Sequence, residues 1–150
     1  MNYKKIAKVR VILIFTLSCF LISCSNSNTS EDEDAILNSM KQSQEYWNTG
    51  DLTGFMHNYW KSDSLKFIGK AGITYGWQGS LDRYLTSYPD KSKQGTLKFD
   101  FLHLEAVGQG NYFQVGKYTQ FREHDTLSGH FSLLWEKIDG EWKIIVDHSS

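Results

Sequence analysis

Residues 96–150 read TLKFDFLHLEAVGQGNYFQVGKYTQFREHDTLSGHFSLLWEKIDGEWKIIVDHSS, and the alternation along this stretch decides the fold. Leu97, Phe99 and Phe101 share one phase of a two-residue period, whereas Leu102, Leu104 and Ala106 take the other. Successive strand side chains point to opposite faces, so a phase switch inside one strand predicts a β-bulge near Phe101-Leu102 and a bent sheet. Gly108-Gln109-Gly110-Asn111 turns the chain into a strand from Tyr112 to Arg122, and residues 123–126 turn it again into Leu127–Ile138. Asp139-Gly140 is a two-residue hairpin signal leading into a last strand, Trp142 to His148. On that strand Trp142, Ile144, Val146 and His148 share an apolar face. His148 is therefore expected to point inward, and Asp147 outward unless a bulge intervenes.

Upstream the period lengthens. Ile36, Met40, Ser43 and Trp47 fall on one helical face. Gly50 suits a left-handed helix end, and Asp51 is placed to cap a second helix carrying Leu52, Phe55, Met56 and Tyr59. Leu65–Ile68 and Ile73–Tyr75 flank Gly69-Lys70-Ala71-Gly72 as a hairpin. Trp77, Leu81, Tyr84 and Tyr88 mark a third helix that ends before Pro89, and the stretch to Gly95 reads as loop. Three helices, a hairpin and four long antiparallel strands make an α+β domain over residues 34–150, with no internal repeat.

The N-terminus is of another kind. Lys4, Lys5, Lys8 and Arg10 precede an apolar run from Val11 to Ile22, broken only by Thr16 and Ser18. Those 12 residues span about 18 Å as a helix, short of a hydrocarbon core of roughly 30 Å. A basic start and a short apolar run read as an export signal over residues 1–23. Leu21-Ile22-Ser23-Cys24 resembles the lipobox of bacterial lipoproteins. That resemblance implies cleavage before Cys24, acylation of its thiol and amine, and a membrane anchor of several chains, since one acyl chain holds only marginally. Ser25 after the cysteine resembles lipoproteins sorted to the outer membrane, so a lipid-anchored place in the cell envelope is expected. Residues 24–33 are polar, then acidic, and read as a flexible tether.

Several function classes drop out. The lipobox resemblance implies that Cys19 leaves with the signal and Cys24 is lipidated, so the exported chain is expected to have no disulfide, thiol nucleophile or cysteine metal site. Removing four basic residues leaves 12 against 17 acidic, a net charge of −5 with no basic run, which speaks against nucleic acid. His57, His103 and His124 have no paired ligand spacing, and no phosphate-cradling glycine loop or nucleophile elbow is present; no metal or cofactor is expected.

The sequence W-N-x-G-D (Trp47, Asn48, Gly50, Asp51) and the ending D-G-x-W-K-I-x-x-x-H-x-S (Asp139, Gly140, Trp142, Lys143, Ile144, His148, Ser150) resemble the nuclear transport factor 2-like superfamily. The nearest branches are the SnoaL-like proteins and the association domain of calcium/calmodulin-dependent protein kinase II. The resemblance spans roughly residues 34–150 and implies a cone: a curved antiparallel sheet wrapped over helices, a pocket at its open end, and frequent homodimers. Members of such a fold bind, isomerise, dehydrate or only dimerise, so fold does not select function. For a pocket the expected lining is Tyr59, Phe67, Trp77, Tyr84, Tyr118, Trp135, Arg122, His130 and His148. A wall of rings suits a small amphipathic ligand, and an inward arginine would pair a ligand carboxylate. His148 and Asp147 are the candidates for acid–base chemistry of an isomerase or a dehydratase-like lyase. No match to the superfamily's paired tyrosine and aspartate of ketosteroid isomerases stands out.

Overall fold

A computed structural model describes residues 29–150; the expected export signal and the expected lipidation site, Cys24, lie outside the described residues. Helix α1 (Thr29–Thr49) buries Ile36, Met40, Ser43 and Trp47, the face that the spacing marks. It is helical from the first described residue, so residues 29–33 of the expected tether are helical. The reason is Asp32, whose Oδ1 accepts from Lys137 Nζ at 2.7 Å and from Trp142 Nε1 at 3.0 Å. Both partners are more than 100 residues away in the chain, and they fix the helix start against the sheet.

The W-N-x-G-D run closes α1 and seats it on the sheet. Trp47 Nε1 donates to the Gln94 carbonyl at 3.2 Å. Asn48 mimics a strand edge: its Oδ1 accepts from Leu97 N at 2.7 Å, and its Nδ2 donates to Leu97 O at 3.0 Å. Gly50 takes φ +89°, a conformation costly for a residue with a Cβ. Asp51 then caps α2 (Leu52–Phe55), accepting from Gly54 N at 2.7 Å. The expected second helix is only one turn, continued by a 3-10 turn at Met56–Asn58. Helix α3 (Trp77–Ser87) follows the hairpin of β1 (Lys66–Gly69) and β2 (Gly72–Tyr75). The expected loop before Gly95 contains a short helix, α4 (Lys91–Gln94), capped by Asp90.

Strands β3 (Thr96–Gly108), β4 (Asn111–Phe121), β5 (Thr126–Ile138) and β6 (Glu141–Ser149) complete one six-stranded sheet in the order β2-β1-β6-β5-β4-β3. All neighbours are antiparallel except β1 and β6, which run parallel and put Phe67 beside Asp147. The register of β3 against β4 slips between Phe101 and His103, so the bulge lies where the phase switch puts it. A slip between β5 and β6, which the alternation does not announce, decides the site. Leu134 pairs with Val146 and Trp135 with Ile144, which leaves Ile145 as an extra residue in β6. Beyond it the faces exchange: Asp147 is buried and His148 is exposed.

Candidate functional site

Between the concave face of the sheet and the helices lies a cavity of about 310 Å³, at the small end of ligand pockets. Its inner wall is aromatic. Trp47, Phe55, Tyr59, Phe67, Tyr84 and Tyr88 come from the helices and β1; Leu97, Phe99, Tyr118, Phe131 and Leu133 come from the long strands. The rings contact one another edge-on, with centroid separations of 5.1 Å for Phe55–Tyr84, 5.7 Å for Phe67–Tyr84 and 4.7 Å for Trp47–Tyr88. Such edge-to-face contacts hold the wall in one arrangement. Gly116 allows the Phe131 ring to lie against β4, because a Cβ there would come within 2.1 Å of the ring.

One carboxyl faces this wall. Asp147 lines the cavity yet is only 3% exposed; Tyr59 donates to its Oδ2 at 2.6 Å and Ser149 Oγ donates to its Oδ1 at 2.8 Å. Burial raises the Asp147 pKa, against the opposing pull of the Tyr59 and Ser149 hydrogen bonds and of the His148 and Arg83 charges. Burial likewise pushes the Tyr59 and Tyr84 phenols well above their ordinary value, and the Asp147 charge pushes both further. The tyrosines thus stay protonated as donors, while the aspartate is a carboxyl that gives up its proton reluctantly. An acid in an apolar, ring-lined space is suited to exchanging a proton with a guest or to fixing a polar end of it.

Of the residues expected at a pocket, Tyr59, Phe67, Tyr84 and Tyr118 line the cavity and five do not. His148 is the main correction: the Ile145 bulge turns it to solvent, and Asp147 occupies the inward place. His130 is exposed, on the face opposite to its buried neighbour Phe131. Arg122 turns back on Asp125, to which its Nε donates at 2.6 Å within the turn. Trp135 is fully buried in the core outside the cavity, its Nε1 donating to Gln114 Oε1 at 2.9 Å. Trp77 lies outside the cavity and braces α3, donating from Nε1 to the Met56 carbonyl at 3.0 Å. Tyr88, Phe99, Ser149, Arg83 and Lys70 line the cavity without having been singled out from sequence. Tyr88 was legible as the last member of the α3 stripe, but Ser149 needed knowledge of the bulge. Among the described residues no group of three His, Cys, Asp or Glu side chains is placed to hold a metal, and no helix is long and apolar enough to cross a membrane.

A strongly bent sheet folded over helices around an aromatic cavity defines a cone-shaped, pocket-bearing α+β domain. No protein-family model matches the sequence, and no curated protein matches it. Among solved structures, an NTF2-like protein of unknown function from Shewanella oneidensis MR-1 is 38% identical, with a TM-score of 0.76 over 79% of this chain and 98% of that one. The chain belongs to the nuclear transport factor 2-like family. A domain of unknown function with a cystatin-like fold from Nostoc punctiforme PCC 73102 is 19% identical, with a TM-score of 0.71 over 81% of this chain and 78% of that one. LinA is 16% identical, with a TM-score of 0.68 over 81% of this chain and 86% of that one; a second form of it is described as a hexachlorocyclohexane dehydrochlorinase. At these lower identities the likeness is one of fold alone.

Proposed function

We propose that the protein is a lipid-anchored ligand-binding module of the cell envelope, which holds a small amphipathic molecule in the aromatic cavity. The observation that carries this reading is the cavity itself: about 310 Å³ walled by rings, with a single buried carboxyl at hand to orient a guest. An apolar pocket with few convergent polar groups is the usual form of a small-molecule site. The lipobox-like Leu21-Ile22-Ser23-Cys24 supports anchoring through acylated Cys24, in an outer membrane by the Ser25 criterion. Exposed Leu102 and Val107 on the edge strand β3 are compatible with the homodimer that the family resemblance implies.

The test is a titration of the exported chain without its lipid (residues 25–150) with the neutral fluorophore N-phenyl-1-naphthylamine. The Shewanella relative, matched over 98% of its length, is this domain alone, which supports independent folding. Saturable binding of one dye per chain is expected. Leu127→Trp, which enlarges a half-exposed side chain on the cavity lining, should abolish it. Absence of saturable binding, or binding indifferent to Leu127→Trp, would overturn the reading.

A second reading is favoured by the Tyr59–Asp147 pair: an isomerase or lyase in which Asp147 exchanges a proton with a guest held under the Tyr59 and Tyr84 rings. The occurrence of a dehydrochlorinase on the same fold is compatible with it. His148, exposed and outside the cavity, has no part in it. Exchange of an enolisable ketone's α-hydrogen in heavy water, abolished by Asp147→Asn, is the expected signature; no exchange across a ketone series would exclude this reading.

A further inference from the structure

The cavity has a cationic side. Arg83, projecting from α3, rests its guanidinium 4.6 Å from the centroid of the Phe67 ring and lines the cavity. Its Nη1 makes one long hydrogen bond, 3.3 Å to Thr74 Oγ1, and its Nη2 lies over Gly69, where a Cβ would approach it within 2.6 Å. Lys70, in the β1–β2 turn next to that glycine, lines the same side. Among the described residues the ion pairs involve Lys98, Arg122, Lys137, Lys143 and two histidines; Arg83 and Lys70 are in none of them.

This arrangement is unlike the other arginine near the cavity, Arg122, which is neutralised by Asp125. A guanidinium has five N–H donors, so Arg83 keeps most of its fork unengaged beside the cavity. It is also weakly hydrated and stacked on a ring, the setting in which arginine grips a planar oxyanion bidentately. Asp147 stands on the other side of Phe67, one strand away in register. An anionic head is therefore attracted to the hairpin end, where the two cations line the cavity. The exported chain carries a net −5, so these two cations are not part of a generally basic surface.

Resting on the ligand-binding reading above, we propose that the guest is an organic anion. It has an apolar, ring-bearing body seated among Phe67, Tyr84, Tyr118 and Phe131, and a carboxylate- or sulfonate-type head held by Arg83 and Lys70. The head points toward the hairpin and the body toward Asp147. Gly69 is then a specificity element, since its lack of a side chain keeps the guanidinium fork close to the strand.

The test compares two dyes with the same body. 8-Anilinonaphthalene-1-sulfonate carries a sulfonate that N-phenyl-1-naphthylamine lacks, and both are titrated into residues 25–150. The anionic dye is expected to bind about 10- to 100-fold more tightly, the range for one or two charge-assisted hydrogen bonds. Arg83→Gln with Lys70→Gln should remove the preference, so that the variant binds the two dyes with equal affinity, and Arg83→Lys should keep part of it. Should Arg83→Gln fail to fold, Lys70→Gln on the exposed turn and Arg83→Lys decide the matter, each expected to lower the ratio of anionic-dye to neutral-dye affinity. Equal or tighter binding of the neutral dye by wild type, or an anion preference that survives these substitutions, overturns the inference while leaving the ligand-binding reading standing. If neither dye binds, that reading itself falls and takes the inference with it.

Discussion

Tyr59→Phe removes the hydroxyl that donates to Asp147 Oδ2 at 2.6 Å and leaves the carboxyl with Ser149 alone, at 2.8 Å. The ring, packed beside Phe55, is retained. Asp147 has its pKa raised by burial, and the Tyr59 hydrogen bond works against that rise. A carboxyl whose pKa is higher in the folded than in the unfolded chain, where it is about 3.9, holds its proton more tightly when folded. Its contribution to stability is therefore complete below the unfolded value and is lost as pH rises through the folded value. Losing the Tyr59 donor moves the upper end of that window to higher pH. With Asp147 ionised, the missing bond is one to a charged group and costs about 1.5–3 kcal/mol; with Asp147 protonated it is an ordinary bond of about 0.5–1.5 kcal/mol. At roughly 4 °C of Tm per kcal/mol for a domain of this size, Tyr59→Phe should lower Tm by about 6–12 °C with Asp147 ionised and about 2–6 °C with it protonated, so the loss should grow from pH 4 to pH 8. Asp147→Asn cannot ionise, so its stability should fall less than that of wild type between these pH values. Differential scanning calorimetry of the three chains at pH 4, 6 and 8 measures this. An equal loss for Tyr59→Phe at pH 4 and pH 8 would refute the idea that this hydroxyl serves an ionisable carboxyl in the cavity.

Three further substitutions probe the frame. Gly116→Ala places a Cβ about where the Phe131 ring already is and should cost about 1–3 kcal/mol in urea denaturation, with weaker dye binding as the ring is pushed into the cavity. Asp32→Asn removes the charge that Lys137 and Trp142 share; because those contacts hold the Asp32 pKa down, wild type should lose this stability as pH falls through the folded value, and the variant should not. His148→Ala, at an exposed position outside the cavity, should change stability by less than about 0.5 kcal/mol and leave dye affinity as it was.

The parts of the fold written in local periodicity were readable. The α1 stripe from Ile36 to Trp47, the Asp51 cap, the Asp139-Gly140 turn with positive φ at both residues, and the β3 bulge are all present. The β3 bulge showed because apolar residues flank it in both phases. The β6 bulge did not, because Val146 extends the Trp142–Ile144 alternation smoothly and makes His148 look inward. What overrides that pattern is long-range: Tyr59, 88 residues away, holds Asp147 inside, and β1 pairs with β6 in parallel. Neither partnership leaves a mark near residue 147. The same limit explains the helical residues 29–33 of α1, where Asp32 meets partners from β5 and β6, and the placing of the aromatics. Trp135 and Tyr118 lie in adjoining strands on the same concave side, yet one is fully buried in the core and the other lines the cavity, a difference of depth that alternation does not encode.

The proposed site requires a carboxyl inside a space able to admit a guest. Carbon-13 NMR titration of the aspartate side chains, assigned with Asp147→Asn and run with and without saturating N-phenyl-1-naphthylamine, reads this directly. Asp147 should titrate above the ordinary aspartate range in the free protein and higher still with the neutral dye bound, as water is excluded from around it. An Asp147 resonance that titrates like a surface aspartate, and ignores the dye, would contradict the placement of that side chain and with it the site.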